Sequence, residues 1–307
     1  MKKLLFALVA LTFLFSACNK EGVYTPKKKL SAVYYQATGS DQKKLYEEYL
    51  WNGDLLKEKL FYASIVDGYL DNLDFVPTYE GKRVVRVDEK LSGEYVDYFY
   101  DGKFLTHLTY HFGDWVSEVD VEHKDGKISK ISFHADTLMG NAGAEKLLSK
   151  FVSQDEMNHI KKIMKQNSKY MGAGVVSFDL SYTWKGDNVA QATMDLYQLG
   201  ELALKQIVEY QYDEMLNPYA ITWSDFGSEF QLVQNAVELR LLSMSKNNFT
   251  QYKREEIYYI EGQEAFRQEY VNNVTYEYEG KYPVKAVQNY HYIDDPIYED
   301  VFYYEYK

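Results

Sequence analysis

Six histidines and one cysteine could supply imidazole and thiolate chemistry in the 307 residues, and 46 carboxylates could supply oxygen ligands. His107, His111, His123 and His134 share one stretch. Coordination needs three or more ligands converging within bonding distance. Read as alternating strands, this stretch puts His123 on the face opposite His107, His111 and His134, so no metal is expected there. Asp67, Asp71, Asn72 and Asp74, and the later set Asp294, Asp295, Glu299 and Asp300, have oxygens suited to calcium. A charge run in a loop is usually only a solvated surface, and neither set is assigned as a calcium site. No metalloprotease helix, phosphate-binding glycine loop, nucleophile elbow or helical calcium loop occurs. No catalytic residue, metal or cofactor is therefore assigned, and the chain reads as non-enzymatic. Three aromatic residues at or beside turns, Tyr95, Phe99 and Trp184, are the candidate ligand contacts. Exposed rings can stack on planar groups or sugar faces; the competing use is cross-strand packing.

Strands must position these residues. From Glu94 to Phe133 the sequence gives three hairpin turns in succession, at Tyr100-Asp101-Gly102, Gly113-Asp114 and Lys124-Asp125-Gly126. Each turn has to return its apolar residues to the face they left. A three-residue loop with Gly102 left-handed sets Tyr98 against Phe104 and Val96 against Thr106. A two-residue turn beginning at Gly113 sets Phe112 against Trp115 and Leu108 against Val119. The third turn then pairs Val119 with Ile131 and Ser117 with Phe133. One face collects Val96, Tyr98, Phe104, Leu108, Tyr110, Phe112, Trp115, Val119, Val121, Ile131 and Phe133; the other carries mainly Asp97, Glu118, Asp120, Glu122 and Lys130.

The same unit, an aromatic-rich strand followed by Asp, Asn, Glu or Lys beside glycine, recurs at Gly53, Gly81, Gly186 and Gly280. Aromatic residues make up 17% of the chain, including 31 tyrosines, which suits half-buried strands. Helical spacing replaces the alternation between 141 and 170, where Ser153 and Glu156 form a capping box. A second helical pattern runs from Phe230 to Leu242. The expected fold class is all-β: a long antiparallel meander of repeated hairpins, twisted or curved, with a small helical insertion at 141–170.

Lys2 and Lys3 precede an apolar run from Leu4 to Phe15 that is too short to span a bilayer as a helix. Ser16-Ala17-Cys18 follows, and this sequence resembles the lipobox of bacterial lipoprotein signal peptides. That resemblance implies cleavage before Cys18 and acylation of its thiol. The domain expectation is a signal peptide at 1–17, a lipidated tether at 18–30 and a single β domain at 31–307. With no other cysteine, disulfides within the body are excluded. A net charge of −12 and a pI near 5.1 argue against a nucleic-acid partner.

The segments SYTWKGDNV (181–189), YQYDEMLNPY (210–219), SMSKNNF (243–249) and YEYEGKYPVKA (276–286) occur in that order. Together they resemble the tyrosine-rich, YD-like β repeats of uncharacterised Bacteroidetes outer-membrane lipoproteins. The resemblance implies an envelope-anchored, non-enzymatic binding or interaction module on the outer membrane. Its expected partners are the membrane, through a lipid on Cys18, and a glycan or envelope protein. The alternatives are a carbohydrate-binding lipoprotein of a polysaccharide-uptake system and a hydrolase with an unrecognised carboxylate site.

Overall fold

The structure, a computed structural model, describes residues 27–62, 72–134, 176–198, 200–220, 244–290 and 298–307. These contain sixteen strands: β1 (Leu30–Gln36), β2 (Lys44–Asn52), β3 (Leu55–Phe61), β4 (Leu73–Glu80), β5 (Arg83–Glu89), β6 (Glu94–Asp101), β7 (Phe104–Phe112), β8 (Trp115–Lys124), β9 (Lys127–His134), β10 (Val176–Lys185), β11 (Asn188–Gln198), β12 (Glu201–Tyr212), β13 (Phe249–Ile260), β14 (Gln263–Glu279), β15 (Tyr282–Tyr290) and β16 (Tyr298–Tyr306). Every strand is antiparallel to its sequence neighbours. The last strand then returns to the first, with Val33 opposite Tyr304, and the sheet closes into a barrel.

Closure corrects the expected open meander. It depends on pairing β1 with β16, whose sequence separation leaves no hairpin turn to signal it. What closure gains is the removal of both sheet edges, whose unpaired backbone groups would otherwise recruit other chains. The helical insertion expected at 141–170 and the helical pattern from Phe230 to Leu242 lie outside the described residues.

The expected strands from Glu94 to Phe133 are β6 to β9, and Val96, Tyr98, Leu108, Tyr110, Val119, Val121, Ile131 and Phe133 are buried as expected, whereas Phe104 gives its inward place to Leu105. Phe112 lies opposite Trp115 and Leu108 opposite Val119, as expected. The two flanking hairpins differ in register. Val96 faces Tyr110 and Tyr98 faces Leu108, because a bulge between Phe99 and Tyr100 shortens the loop so that Asp101 pairs with Phe104. Val119 likewise faces Phe133 rather than Ile131. Both differences are even, so these residues keep their face; beyond the bulge the shift is odd, and Leu105 rather than Phe104 turns inward. Gly102 is left-handed, with φ of 58°, and Gly113 has φ of 62°.

The barrel has two rims. The near rim holds the turns at Gly53, Gly81, Gly102, Gly126, Gly186 and Gly280, together with Lys29 and Lys307, which pair through their backbones. The far rim holds the turns at Gly39, Gly93, Gly113, Gly200 and Gly262. Towards the near rim the strands of alternate seams part. The β5–β6 ladder ends at Arg86 and Asp97, and the β9–β10 ladder ends at Lys130 and Ser181.

Six aromatic side chains bridge these gaps, each donating to a main-chain carbonyl of the preceding strand. They are Trp51 to Leu30 (2.7 Å), Tyr79 to Leu56 (2.9 Å), Tyr100 to Val84 (2.9 Å), Trp184 to Ile128 (2.8 Å), Tyr276 to Phe249 (3.1 Å) and Tyr306 to Pro283 (2.8 Å). A carbonyl left without its ladder partner needs another donor. A large ring that packs apolar and ends in one N–H or O–H supplies it. This accounts for the aromatic residue two positions before the turn glycine at 53, 81, 102 and 186.

Candidate functional site

The wall sorts its side chains by strand parity. On β12, Leu204, Gln206, Val208 and Tyr210 are buried, while the alternating Glu209 and Gln211 are exposed. Buried inward residues from strands around the barrel, including Val33, Leu56, Val87, Leu108, Phe178 and Met194, form one apolar cluster.

Among the described residues Glu47, Glu89 and Glu256 are carboxylates buried on the inward face. Glu47 on β2 lies 3.0 Å from Lys59 Nζ on β3, with the two side chains 6% and 2% exposed. Tyr49 donates its hydroxyl to Glu47 at 2.6 Å. Burial pushes the Tyr49 hydroxyl well above its ordinary range, so it stays a neutral donor. Glu256 on β13 repeats the arrangement: Tyr258, two residues on, donates at 2.6 Å, and Arg254 Nε approaches to 3.2 Å. Gln206 and Gln268 complete its shell. Glu-x-Tyr at inward parity on a buried strand face was the available signal for both sites. Charge-assisted hydrogen bonds of this kind make a buried carboxylate tolerable.

The outer face differs throughout. Arg86 pairs with Asp97 (2.7 Å), Lys130 with Asp179 (3.1 Å), Lys205 with Asp195 (3.0 Å), Lys253 with Glu269 (3.0 Å) and Lys285 with Glu277 (2.8 Å). These pairs lie partway along the strands and recur around the wall. Glu118, Asp120 and Glu122 are exposed on β8. A lipid-facing wall carries an apolar band about 25 Å tall, and a cation at its midplane costs about 2–4 kcal/mol. No such band is present among the described outward residues.

Of the candidate ligand contacts, Tyr95 and Phe99 lie on this outer face of β6. Tyr95 is sandwiched, with the Arg86 guanidinium 4.2 Å from one side and the His111 ring stacked at 4.1 Å. His111 also approaches Asp97 at 3.4 Å. Phe99 is 49% exposed and borders an open cleft of about 770 Å³ lined by Glu80, Arg83, Arg86, Asp97 and Tyr100, where β5 and β6 part. Trp184 lies elsewhere, half-buried beneath Lys127, with its N–H committed to Ile128. The structure therefore brings Tyr95 and Phe99 onto one surface and places Trp184 among the seam-bridging rings. His123 packs against Phe104 at 5.0 Å, on the face opposite His107 and His111. Among the described residues no three His, Cys, Asp or Glu side chains group as a metal site. Cys18 lies outside the described residues.

No protein-family model and no curated relative matches the sequence. Two crystal structures are similar in fold. A porin-like protein from Bacteroides vulgatus ATCC 8482 is 11% identical, with 92% of this chain and 99% of that one covered at a TM-score of 0.49. A porin-like protein from Bacteroides uniformis ATCC 8492 is also 11% identical, with 91% and 98% covered at the same TM-score.

The expected family, a tyrosine-rich YD-like repeat lipoprotein with an open sheet, is corrected by the fold: the described strands close as a sixteen-stranded barrel. The function attached to that family is corrected with it. An open repeat sheet presented as an envelope-anchored binding module does not exist in a closed barrel. The expected partners, a membrane reached through a lipid on Cys18 and a glycan or envelope protein seated on the open sheet, fall with that platform.

Proposed function

We propose that this chain is a non-enzymatic barrel of the outer membrane that stands in water beside the bilayer rather than spanning it. One observation supports this above all: ion pairs line the outside of the wall while apolar side chains fill the inside. That is the reverse of a channel, whose lumen is wet and whose exterior is apolar. The short positive region, apolar run and Ser16-Ala17-Cys18 sequence support export to the envelope. Acylation of Cys18 is the finer form of the same address, and palmitate labelling that persists in Cys18→Ser would end it.

The test uses the Cys18→Ser protein, in which no acyl chain can hold it to a membrane. On this reading it fractionates in the periplasm without detergent and gives no conductance in planar bilayers. Retention in membranes through an alkaline carbonate wash, or a stable conductance, would overturn it. Within this reading Tyr95 and Phe99 remain the proposed ligand contacts, because the exposed Phe99 ring borders a cleft and Tyr95 lies on the same face of β6. Phe99→Ala should leave the melting curve unchanged, since the ring is half in solvent.

A further inference from the structure

The far rim is uneven in height. β13 and β14 stay paired from Gln251 and Asn273 up to the turn at Gly262. The β14–β15 ladder stops at Asn273 and Asn289, although β15 runs on to Tyr290. Among the described residues the stretch of β14 from Gln263 to Asn272 therefore continues past the end of that ladder, over roughly 33 Å of strand. β12 supports the same hairpin from its other side as far as Tyr258. Strand edges are usually blunted by Pro or Lys, because their backbone groups recruit further strands. Gln263–Asn272 contains neither. It does carry Phe266 and Val271, two of the exposed large apolar side chains.

We propose that this edge of β14 pairs antiparallel with the same edge of a second copy, around a two-fold axis at Gln268, joining two barrels far rim to far rim. The sequence of the edge is complementary to itself in that register. Two copies keep their outer faces together only if the axis passes through a residue position rather than between two. With the axis at Gln268, Arg267 of each copy faces Glu269 of the other, Ala265 faces Val271 and Phe266 faces Tyr270. An axis at Arg267 or Glu269 sets like charges directly opposite, which is unfavourable. An axis at Phe266 or Tyr270 leaves Arg267 opposite Ala265 or Asn273. Within one copy Arg267 already bridges Glu255 and Glu264, and Lys253 bridges Glu269. Pairing at Gln268 extends that row of alternating charge across the joint, on the side that stays in water. Main-chain hydrogen bonds supply the affinity, and the side chains choose the register.

The experiment measures the mass of the Cys18→Ser protein by analytical ultracentrifugation over a concentration series, and a dimer in equilibrium with monomer is expected. Arg267→Glu sets acid against acid twice and should raise the dissociation constant by roughly tenfold or more. Adding Glu269→Arg should restore the dimer. The double variant still holds an acid beside Glu255 and Glu264, so its recovery comes from pairing between copies. In the same background Gln268→Cys supplies the only thiol, and places two of them on the axis with Cα atoms about 4.5–5.5 Å apart. That spacing suits a disulfide, so mild oxidation should yield a covalent dimer. Val271→Cys on the same edge should not, because its two copies lie about 20 Å apart along the paired strands. The charge reversal keeps the test decisive if Gln268→Cys, which removes a neighbour of Glu256, fails to fold. Protein that stays monomeric throughout, a dimer indifferent to the charge reversal, or equal cross-linking at both cysteines would overturn the proposal.

Discussion

The inner and outer faces of one wall solve the same problem in opposite ways. Inside, Glu47 and Lys59 are isolated from water, so each depends on its few fixed neighbours. Outside, Lys253 and Glu269 are about half exposed, and water substitutes for either partner. The N···O distance is 3.0 Å in both pairs. Geometry alone thus says little about energetic weight; burial decides it. A wall built this way is held by what it encloses, and its exterior is free to vary in charge.

The sharpest way to break the contrast is to remove one partner on the inside. Lys59→Met leaves the Glu47 carboxylate buried without its cation, and a loss of about 3–5 kcal/mol is expected in denaturant melts. Adding Glu47→Gln should recover part of that loss, because the uncompensated charge has gone. If the single and double variants are equally unstable, the pair is not the isolated unit described.

A smaller effect is expected where the inner face meets the near rim. Trp184→Phe keeps the ring but removes the N–H from the Ile128 carbonyl, which should cost about 0.5–1.5 kcal/mol. Protection of nearby β9 amides from hydrogen exchange should fall along with it.

Glu89 tests the inner face by pH. Burial alone would raise its pKa, but the backbone N–H groups of Asp74, Leu91 and Ser92 point at its carboxylate and hold it below the ordinary range. A lowered folded-state value stabilises the protein above the unfolded value, near 4.3. That contribution is lost as pH falls through the folded value. Glu89→Gln should therefore lower stability at neutral pH and flatten the acid limb of the stability curve. An unchanged acid limb would show that those three bonds carry no weight.

The smallest effect belongs to the outer face. Lys253→Ala is expected to leave the denaturant melt close to the parent's, with no difference left in high salt. A loss as large as that for Lys59 would mean the outer surface is not in water.

Alternation along each strand made much of this legible from the residues. The parity that buried Val96, Tyr98, Leu108 and Tyr110 also put Asp97, His107 and His111 outside, and the turn glycines marked both rims. Registers were less legible: the bulge at Phe99 and Tyr100 shifts the pairing by one residue and turns Leu105 inward where Phe104 was expected. Closure was invisible. Pairing Val33 with Tyr304 needs two strand edges left over at the chain's extremes, and a meander has the same leftover edges. Trp184 beside a turn reads as an exposed ring until the parting of β9 and β10 gives its N–H a carbonyl to reach. Glu47 and Glu256 looked like two more acids among 46, because their cations and tyrosines meet them only across or along folded strands.

The most direct measurement of the inside-out arrangement is carbodiimide labelling of carboxylates on protein in isolated membranes, read by mass spectrometry. Glu118, Asp120, Glu209 and Glu269 should label readily, while Glu47 and Glu256 stay unlabelled until the barrel is unfolded. The reverse result, outer carboxylates shielded by lipid and inner ones labelled through a wet lumen, would contradict the account.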